Sequence, residues 1–268
     1  MGILGHARAV PARLAREPHP LRFVASRALW WGRLSRRFVI TFPEGFRLRF
    51  HPSAMAAQLW TDTNHNRDDR ELLAALLQPG DVVVDVGANI GALTVAVAWA
   101  VGPEGHVYAI EANPTTFAHL QENVEFNELT NVTCLQYAAS SDTVPLGFSD
   151  NARSDTMNMV DATGPLTVPA APLDALIPQE IEVALLKIDV EGYERFVLEG
   201  APSTLARTRQ IYIEVWDHHF ERFGYRTEDV LHALSDAGFE THRLGDGSRL
   251  LGIEGAGAEC ENLLAIRK

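Results

Sequence analysis

Acidic residues stand at the ends of four apolar runs in this chain, and they are the residues best suited to chemistry. Asp85, Glu111 and Glu214 each end one run, while Asp189 and Glu191 end another. If these runs are parallel strands, their carboxyl ends meet at one edge of a sheet, where open α/β folds bind ligands. The pattern therefore predicts an acidic crevice that can accept hydrogen bonds from hydroxyls, hold a cation or take up a proton.

A glycine turn follows the first of these runs, in the segment DVVVDVGANIGALTV at residues 81–95. Gly87 and Gly91 let the backbone turn tightly and let a ligand approach it. Glu111 lies 24 residues after Gly87, near the spacing at which an acid binds ribose hydroxyls. The turn lacks the third glycine typical of pyrophosphate binding. We therefore expect a nucleotide without phosphates, of which S-adenosylmethionine is the common one, and its cationic sulfonium suits an acidic crevice.

Four segments resemble the FkbM-type S-adenosylmethionine-dependent methyltransferases, and the similarity runs from about residue 72 to residue 214. They are DVVVDVGANIGALTV, YAIEANP, LLKIDVEGYERFVLEGA and IYIEVW. The resemblance implies an α/β fold, the Rossmann-like class I methyltransferase, with a seven-stranded, mostly parallel sheet in the order 3-2-1-4-5-7-6 and an antiparallel last strand. It also implies methyl transfer to a hydroxyl of a sugar or polyketide-like natural product.

Carried over to the matching positions, the resemblance places the cofactor on residues at the strand ends. The cofactor-binding residues are then Asp85, Gly87, Asn89 and Gly91 for the methionine end, Glu111 for the ribose, Tyr137 and Ala138 for adenine, and Asp189 beside the reacting methyl. Many related enzymes carry an acid or an asparagine where Tyr137 stands. Asp142 or the backbone is expected to take over the contact with the adenine amino group.

A hydroxyl acceptor must lose its proton as the methyl group moves, and a nearby carboxylate or imidazole could take it. The catalytic candidates are Asp189, Glu191, Glu214 and His218, and Asp217, His219 and His65 are further groups of the same kind. Lys187 is expected to pair with an acid in the sheet and receives no catalytic role.

A divalent metal is an alternative way to lower the pKa of the acceptor hydroxyl. Its ligands would be Asp189, Glu214 and either Asp217 or His218. The family resemblance does not demand a metal, and none is assigned.

The elements that position these residues alternate between strands and helices. Strands are expected at 82–86, 106–110, 132–137, 183–190 and 210–215, and three antiparallel candidates follow at 239–244, 249–253 and 262–266. Residues 139–172 read as a long insertion, which is typical of a functional loop. We divide the chain into an extension at 1–69 and a methyltransferase domain at 70–268, and we expect the extension and the insertion to form the acceptor pocket.

The extension contains a predicted basic helix at 21–37 and a predicted hairpin at 38–52. Leu21, Val24, Ala28 and Trp31 fall on one face of the helix. That face would lie on a membrane surface or an acidic partner, or would pack on the chain's own acidic domain as a lid or dimer contact. The last is the simpler expectation.

Charge and cysteine usage exclude several classes of protein. The net charge is −12, yet residues 1–50 hold ten arginines against two glutamates, a net charge of +8, so the remainder carries −20. An acidic body argues against nucleic acid as a partner. Cys134 and Cys260 form no metal or disulfide pattern, and the chain shows neither a secretory signal nor a membrane-spanning run, so we expect a cytoplasmic protein.

Two other functions use the same strand ends. A nicotinamide-dependent oxidoreductase would bind its cofactor there, and a non-enzymatic module would bind a nucleotide without turnover. A small-molecule hydroxyl compound is the expected partner, and the oligomeric state stays open.

Overall fold

The structure, a computed structural model, describes residues 18–150, 158–245 and 249–268. Its helices are α1 (Pro20–Trp31), α2 (Ala54–Thr61), α3 (Arg67–Ala75), α4 (Ala92–Val101), α5 (Pro114–Phe126), α6 (Leu173–Leu176), α7 (Glu194–Glu199), α8 (Pro202–Ala206), α9 (Asp217–Phe220) and α10 (Thr227–Asp236). In these ranges, no helix is both long enough and apolar enough to cross a membrane.

The strands bear out the predicted alternation. They are β1 (Val39–Thr41), β2 (Arg47–Arg49), β3 (Val82–Val86), β4 (His106–Ile110), β5 (Val132–Leu135), β6 (Ala138–Ala139), β7 (Leu146–Phe148), β8 (Leu166–Val168), β9 (Ala170–Ala171), β10 (Val183–Ile188), β11 (Thr208–Val215), β12 (Phe239–Gly245), β13 (Arg249–Leu251) and β14 (Glu261–Arg267). The 139–172 insertion thus contains short strands as well as residues 151–157, which lie outside the described ranges.

One mixed sheet organises the molecule, in the order β5-β4-β3-β10-β11-β14-β12-β13. The strands from β5 to β11 are parallel, and β14 runs antiparallel to both β11 and β12. This is the predicted order 3-2-1-4-5-7-6 with an additional eighth strand. The family resemblance implies seven strands, and the eighth is β13, which lies within the strand candidate predicted at 249–253 and pairs with β12 at an exposed edge.

The central strands are buried on both faces by apolar residues. All six residues of β10 are buried, as are four of the five in β3. One face packs on α7 and α10, through Val197 and Leu234, and the other on α3 and α4, through Leu73 and Val97. Continuous apolar strands of this kind are typical of a parallel sheet covered on both faces. Because helices cover the faces, a ligand is expected at the carboxyl ends of the strands.

The N-terminal extension packs against the body of the domain. The predicted hairpin is confirmed as β1 and β2, and its residues Ile40 and Leu48 share an apolar cluster with Ile90 and Val95. Asn123 of α5 also binds the hairpin, since its Oδ1 accepts the backbone N–H of Arg49 at 2.8 Å. The extension therefore stands beside the glycine turn.

The basic helix differs from its prediction in length and orientation. It ends at Trp31, because Gly32 caps it and Arg33 takes a left-handed conformation, and a short 3₁₀ turn follows at Ser35–Arg37. The apolar face formed by Leu21, Val24, Ala28 and Trp31 is exposed. The expectation that this face packs on the chain's own domain is therefore wrong for the described residues.

Candidate active site

A cavity of about 340 Å³ opens at the carboxyl edge of the sheet. Residues at the strand ends form one part of its wall, including Gly87, Asn89, Glu111, Tyr137, Ala138 and Asp189. The extension and the insertion supply another part, including Gln58, His65, Asn66, Phe148, Asn158 and Val160. The predicted crevice therefore exists, and both segments expected to border it do so.

The glycine turn forms the floor of this cavity. Gly87 adopts a φ of +76°, and a Cβ atom there would lie 1.8 Å from the carbonyl oxygen of Asp189. Any larger residue would push the ends of β3 and β10 apart. Asn89 also takes a left-handed conformation, with φ of +50°, and lines the cavity. The turn thus presents backbone rather than side chains to a ligand.

Glu111 holds the turn in place from the end of β4. The backbone N–H groups of Asn89 and Asn113 donate to its two carboxylate oxygens at 2.9 and 2.8 Å. Burial raises the pKa of Glu111 to about 7, although these two hydrogen bonds favour its ionised form. A carboxylate has about four acceptor positions, so Glu111 keeps two for hydroxyls in the cavity.

Lys187 links the strand ends behind the cavity wall, as predicted. Its Nζ lies 3.3 Å from Asp85 Oδ1 and 3.4 Å from Asp189 Oδ2, and it donates to the carbonyl oxygen of Gly87 at 2.8 Å. Burial alone would lower the pKa of Lys187, but Asp189 and Asp85 raise it above its ordinary value. Lys187 is therefore a buried cation that holds β3 and β10 in register.

Two further carboxylates meet a histidine on the other side of Asp189. Glu191 and Glu214 line the cavity, and Glu191 Oε2 lies 3.1 Å from Nδ1 of the buried His219. Burial and then the charge of Asp189 raise the pKa of Glu191 to about 9 and that of Glu214 to about 8. Burial also lowers the pKa of His219. At neutral pH the two carboxyl groups of the free protein are therefore mostly protonated, and they become able to accept a proton as the pH rises or as a cation binds beside them.

A network of hydrogen bonds fixes the turn that carries Glu191. Glu191 and Gly192 both have positive φ, and a Cβ on Gly192 would lie 2.9 Å from the carbonyl oxygen of His219. Buried Glu194 accepts the backbone N–H of Val190 at 3.0 Å, and the Tyr225 hydroxyl donates to the Gly192 carbonyl at 2.7 Å. The turn and α9 are thus held in close contact, so Glu191 has a fixed orientation toward His219.

Some predicted site residues lie elsewhere in the described chain. Asp85 is buried beneath the turn, where its Oδ2 accepts the Thr94 hydroxyl at 2.6 Å, and neither Asp85 nor Gly91 belongs to the cavity wall. His218, a predicted catalytic residue, is exposed. Its neighbour His219, a further candidate of the same kind, lies beside Glu191 instead. This correction has a simple cause: adjacent residues of a one-turn helix point in directions about 100° apart.

Two of the alternative contacts are also corrected. Asp217, a predicted metal ligand, accepts the backbone N–H and the hydroxyl of Thr227 at 2.8 and 2.7 Å, which ties α9 to the start of α10. Asp142, a predicted adenine contact, is exposed and accepts the backbone N–H of Val144 at 2.8 Å. Neither acid lines the cavity.

Comparison with known proteins decides the family. The model of the methyltransferase FkbM domain matches residues 85–241. This chain belongs to the FkbM methyltransferase family. The match spans the glycine turn, Glu111, the turn after β10 and the Glu191–His219 pair. The family membership favours the methyltransferase over the oxidoreductase and the non-enzymatic module.

Two relatives and one solved structure resemble this chain. The hexuronic acid methyltransferase AglP of Haloferax volcanii is 29% identical over 203 residues, which cover 74% of this chain and 80% of that protein. The 31-O-demethyl-FK506 methyltransferase FkbM of Streptomyces tacrolimicus is 31% identical over 198 residues, covering 60% and 73%. A SAM-dependent methyltransferase from Aquifex aeolicus has a TM-score of 0.45 at 19% identity, covering 77% and 94%.

The methyl donor of this FkbM-type enzyme is S-adenosylmethionine, and the cavity fits it chemically. Glu111 offers acceptor positions for a ribose diol, and the Gly87 turn offers open backbone beside it. The carboxyl groups of Asp189, Glu191 and Glu214 line the rest of the strand edge, and a cation beside them would favour the ionised forms of the two glutamates. Such a wall favours a ligand that carries a sulfonium and an ammonium group.

The buried ion pair of Lys187 with Asp85 predicts that loss of the lysine strongly lowers stability. Replacing Lys187 with methionine in this FkbM-type methyltransferase leaves the buried carboxylate of Asp85 without its counter-charge. The free energy of unfolding is expected to fall by about 3–5 kcal/mol, measured by urea denaturation. Arg195→Ala is the control, because it breaks an exposed pair with Glu199 and should cost only about 0.5 kcal/mol. Equal losses in the two variants would contradict the proposed role of Lys187.

The pKa of Glu111 predicts a pH-dependent donor affinity. Ribose hydroxyls donate to an ionised carboxylate. At a pH below the pKa of Glu111, which is about 7, the carboxyl group must therefore lose its proton before the ribose binds. Lowering the pH from about 8 to about 6 should therefore weaken S-adenosylhomocysteine binding about tenfold, measured by calorimetry. The Glu111→Gln variant should bind with little pH dependence. A wild-type affinity that is the same at both pH values would refute this assignment.

Proposed function

We propose that this protein transfers the methyl group of S-adenosylmethionine to a hydroxyl of an uncharged sugar or a polyketide-like small molecule. The observation that carries the proposal is the contact of Glu191 with His219 at the cavity wall, 3.1 Å apart and next to Glu214. The relatives AglP and FkbM support a sugar or polyketide-like acceptor, since one is a hexuronic acid methyltransferase and the other a 31-O-demethyl-FK506 methyltransferase.

The side chains on the acceptor part of the cavity support an uncharged, hydroxyl-rich acceptor. Gln58, Asn66 and Asn158 bring amide groups, which both donate to and accept from hydroxyls. Burial lowers the pKa of His65, which therefore stays neutral near pH 7. Because the carboxylate of Asp189 lines the same cavity, an acceptor carboxylate would be repelled. A neutral glycoside fits this wall better than a uronic acid does.

The proposed chemistry assigns one task to each group. When bound, S-adenosylmethionine supplies an electrophilic methyl group. The acceptor oxygen forms the new bond to the methyl carbon while the carbon–sulfur bond of the donor breaks, and its electron pair stays on the sulfur of the leaving S-adenosylhomocysteine. The hydroxyl proton passes to the carboxylate of Glu191, which acts as general base. His219 positions that carboxylate through its Nδ1 contact. The cation of the donor lowers the pKa of Glu191 from about 9 toward neutral pH, because a nearby positive charge favours a carboxylate.

The acceptor class is tested with a panel of small molecules. The purified protein is incubated with methyl-labelled donor and with neutral glycosides, matched uronic acids and a hydroxylated macrolide, and the products are identified by mass spectrometry. The proposal expects a labelled neutral glycoside or macrolide, and weaker or no labelling of the uronic acids. Labelling confined to uronic acids would overturn the argument from charge.

A metal-assisted form of the same reaction is the second candidate. Among the described residues, Glu191, Glu214 and His219 each offer a ligand atom, and these atoms lie within 4.8 Å of one another. Two carboxylates and an imidazole suit a divalent cation, which would lower the pKa of a bound hydroxyl. This set shares Glu214 with the predicted one. Glu191 stands in place of Asp189, and His219 stands in place of Asp217 or His218.

Metal removal distinguishes the two forms. With Glu191 as general base, treatment with EDTA should change the initial rate by less than about twofold, since proton transfer needs no cation. The metal-assisted form requires a large loss of rate that Mg²⁺ or Mn²⁺ restores. The rate is measured on dialysed protein with labelled donor, before and after metal is added back. A restored loss would favour the second candidate over the first.

A further inference from the structure

The basic helix α1 carries an exposed apolar row that the proposed reaction does not use. Leu21, Val24 and Trp31 are 86%, 51% and 80% exposed, and Ala28 between them is exposed as well. Their spacing places all four on one helical face. Large exposed apolar side chains that share a face commonly mark an interaction site.

The opposite side of α1 is already packed, so the exposed row is not the result of a detached helix. Ser26 is fully buried, and Leu29 and Trp30 pack against the apolar cluster of the hairpin and α2. The guanidinium of Arg22 lies 5.3 Å from the ring centroid of Trp60 in α2. The helix is therefore fixed on the body with its apolar row outward.

Further exposed apolar residues continue this surface beyond the helix. Leu34 and Phe38 are both partly exposed, in the turn after α1. Phe38 also contacts Trp60 edge-on at a centroid distance of 6.5 Å, which places it on the same side as Arg22. We call the surface formed by Leu21, Val24, Trp31, Leu34 and Phe38 the apolar ridge.

The charge around the apolar ridge identifies its partner. Residues 18–43 contain five arginines and no acidic residue, although the whole chain has a net charge of −12. Arg33, Arg36 and Arg37 are exposed in the turn that joins α1 to the hairpin. A basic, apolar and tryptophan-bearing surface of this kind is complementary to a bilayer that contains anionic lipids.

We propose that the apolar ridge docks on the surface of an anionic lipid bilayer. Trp31 and Leu21 enter the interface between headgroups and acyl chains, while the arginines contact lipid phosphates. A bilayer accepts a single row of protruding side chains, whereas a stable protein interface needs about 800 Å² of complementary surface on each partner. A lipid surface is therefore favoured over a second copy of this chain.

Docking would bring the acceptor side of the active site near the lipid. A smaller cavity of about 220 Å³ lies between α1 and α2, lined by Phe23 and Arg27 of α1 and by Gln58 and His65. Gln58 and His65 also line the active-site cavity. The helix that carries the apolar ridge thus also borders the cavity next to the acceptor wall.

Vesicle partitioning of the full chain tests this proposal. Vesicles of phosphatidylcholine alone are compared with vesicles in which about a third of the lipid is phosphatidylglycerol. The wild-type protein should bind the anionic vesicles at least about tenfold more strongly than the neutral ones. The double variant Leu21→Ser, Trp31→Ser and the double variant Arg36→Glu, Arg37→Glu should each lose about tenfold in binding.

Matched controls separate docking from general surface effects. Trp99 is 49% exposed on α4, away from the ridge sequence, and Arg226 is an exposed arginine near α10. Trp99→Ser and Arg226→Glu should bind anionic vesicles as the wild type does. All variants should keep wild-type affinity for S-adenosylhomocysteine, which reports folding.

Three outcomes would overturn the proposal. They are absence of binding by the full chain, equal binding to both kinds of vesicle, and equal binding by wild type and ridge variants. A wild-type dimer that Leu21→Ser, Trp31→Ser dissociates, without vesicle binding, would assign the ridge to a second copy instead. None of these results affects methyl transfer measured in solution, so the proposed function is tested separately.

Discussion

Replacing Glu111 with alanine is expected to weaken binding of S-adenosylhomocysteine about 100-fold. The carboxylate lies on the cavity wall, and each of its oxygens accepts one backbone N–H, from Asn89 and from Asn113. Two hydrogen bonds from a ribose to a charged acceptor contribute about 1.5 kcal/mol each, so their loss amounts to about 3 kcal/mol. Isothermal titration calorimetry at about pH 8 measures this change, because Glu111 is then mostly ionised.

Two further variants show whether the loss belongs to the ribose contact. Glu111→Gln keeps the size of the side chain and should lose less affinity than Glu111→Ala. Asp142→Ala removes an exposed acid from outside the cavity and should bind as tightly as the wild type. If Glu111→Ala also binds like the wild type, the assignment of the ribose to the end of β4 is wrong.

Replacing Glu191 with glutamine is expected to lower kcat about 10²- to 10³-fold. The variant keeps the shape of the side chain but cannot accept the hydroxyl proton, and positioned general bases contribute effects of about this size. The affinity for S-adenosylhomocysteine should change little, since Glu111 and the Gly87 turn are untouched. Steady-state rates with labelled donor and an accepted glycoside measure kcat and KM separately.

The pH profile gives this prediction a second readout. The pKa of Glu191 in the free protein is about 9, so kcat/KM of the wild type should rise with pH, about tenfold per unit, between pH 7 and pH 8. Glu191→Gln should lose this rise. His219→Ala should shift it, because His219 positions the base, and His218→Ala should leave it in place, because His218 is exposed. A profile that is the same in Glu191→Gln and wild type would assign the base to another group.

The parts of the fold that depend on local sequence pattern were predictable. Four of the five residues of Val82–Val86 are β-branched valines, and Gly87 follows them at a turn that no side chain could occupy. These features locate the strand ends, and parallel strands then bring Glu111, Asp189 and Glu214 to one cavity without any knowledge of tertiary contacts. The order of the sheet came from the family resemblance rather than from the pattern.

The parts that depend on side-chain direction were not predictable. Asp85 stands at a strand end like the other acids, yet Thr94 and Lys187 bind it beneath the turn. Neighbours His218 and His219 offer the same chemistry, and only the contact between α9 and the Gly192 turn decides which one meets Glu191. Glu194, which orients that turn, belongs to a segment that carries the family resemblance, but its role was not predicted because an acid at the start of a helix is also common on surfaces.

The apolar face of α1 was predicted from the sequence, but its expected packing on the chain's own domain was wrong for a different reason. A stripe of apolar residues on a predicted helix indicates burial, but it does not specify what buries it. In α1 the less periodic residues Leu29 and Trp30 face the body, and the regular row of Leu21, Val24 and Trp31 faces outward. Only the packed structure distinguishes these two sides.

The most direct test of the account is the chemical nature of the bond that holds the transferred methyl group. The products formed by wild-type protein and methyl-labelled donor from an equimolar mixture of a neutral glycoside and its matched uronic acid are purified and treated with mild alkali. Methyl transfer to a hydroxyl gives an ether, so the label should stay on the glycoside. Release of the label as methanol would show a methyl ester on a carboxylate, and would contradict the assignment of a hydroxyl acceptor to this site.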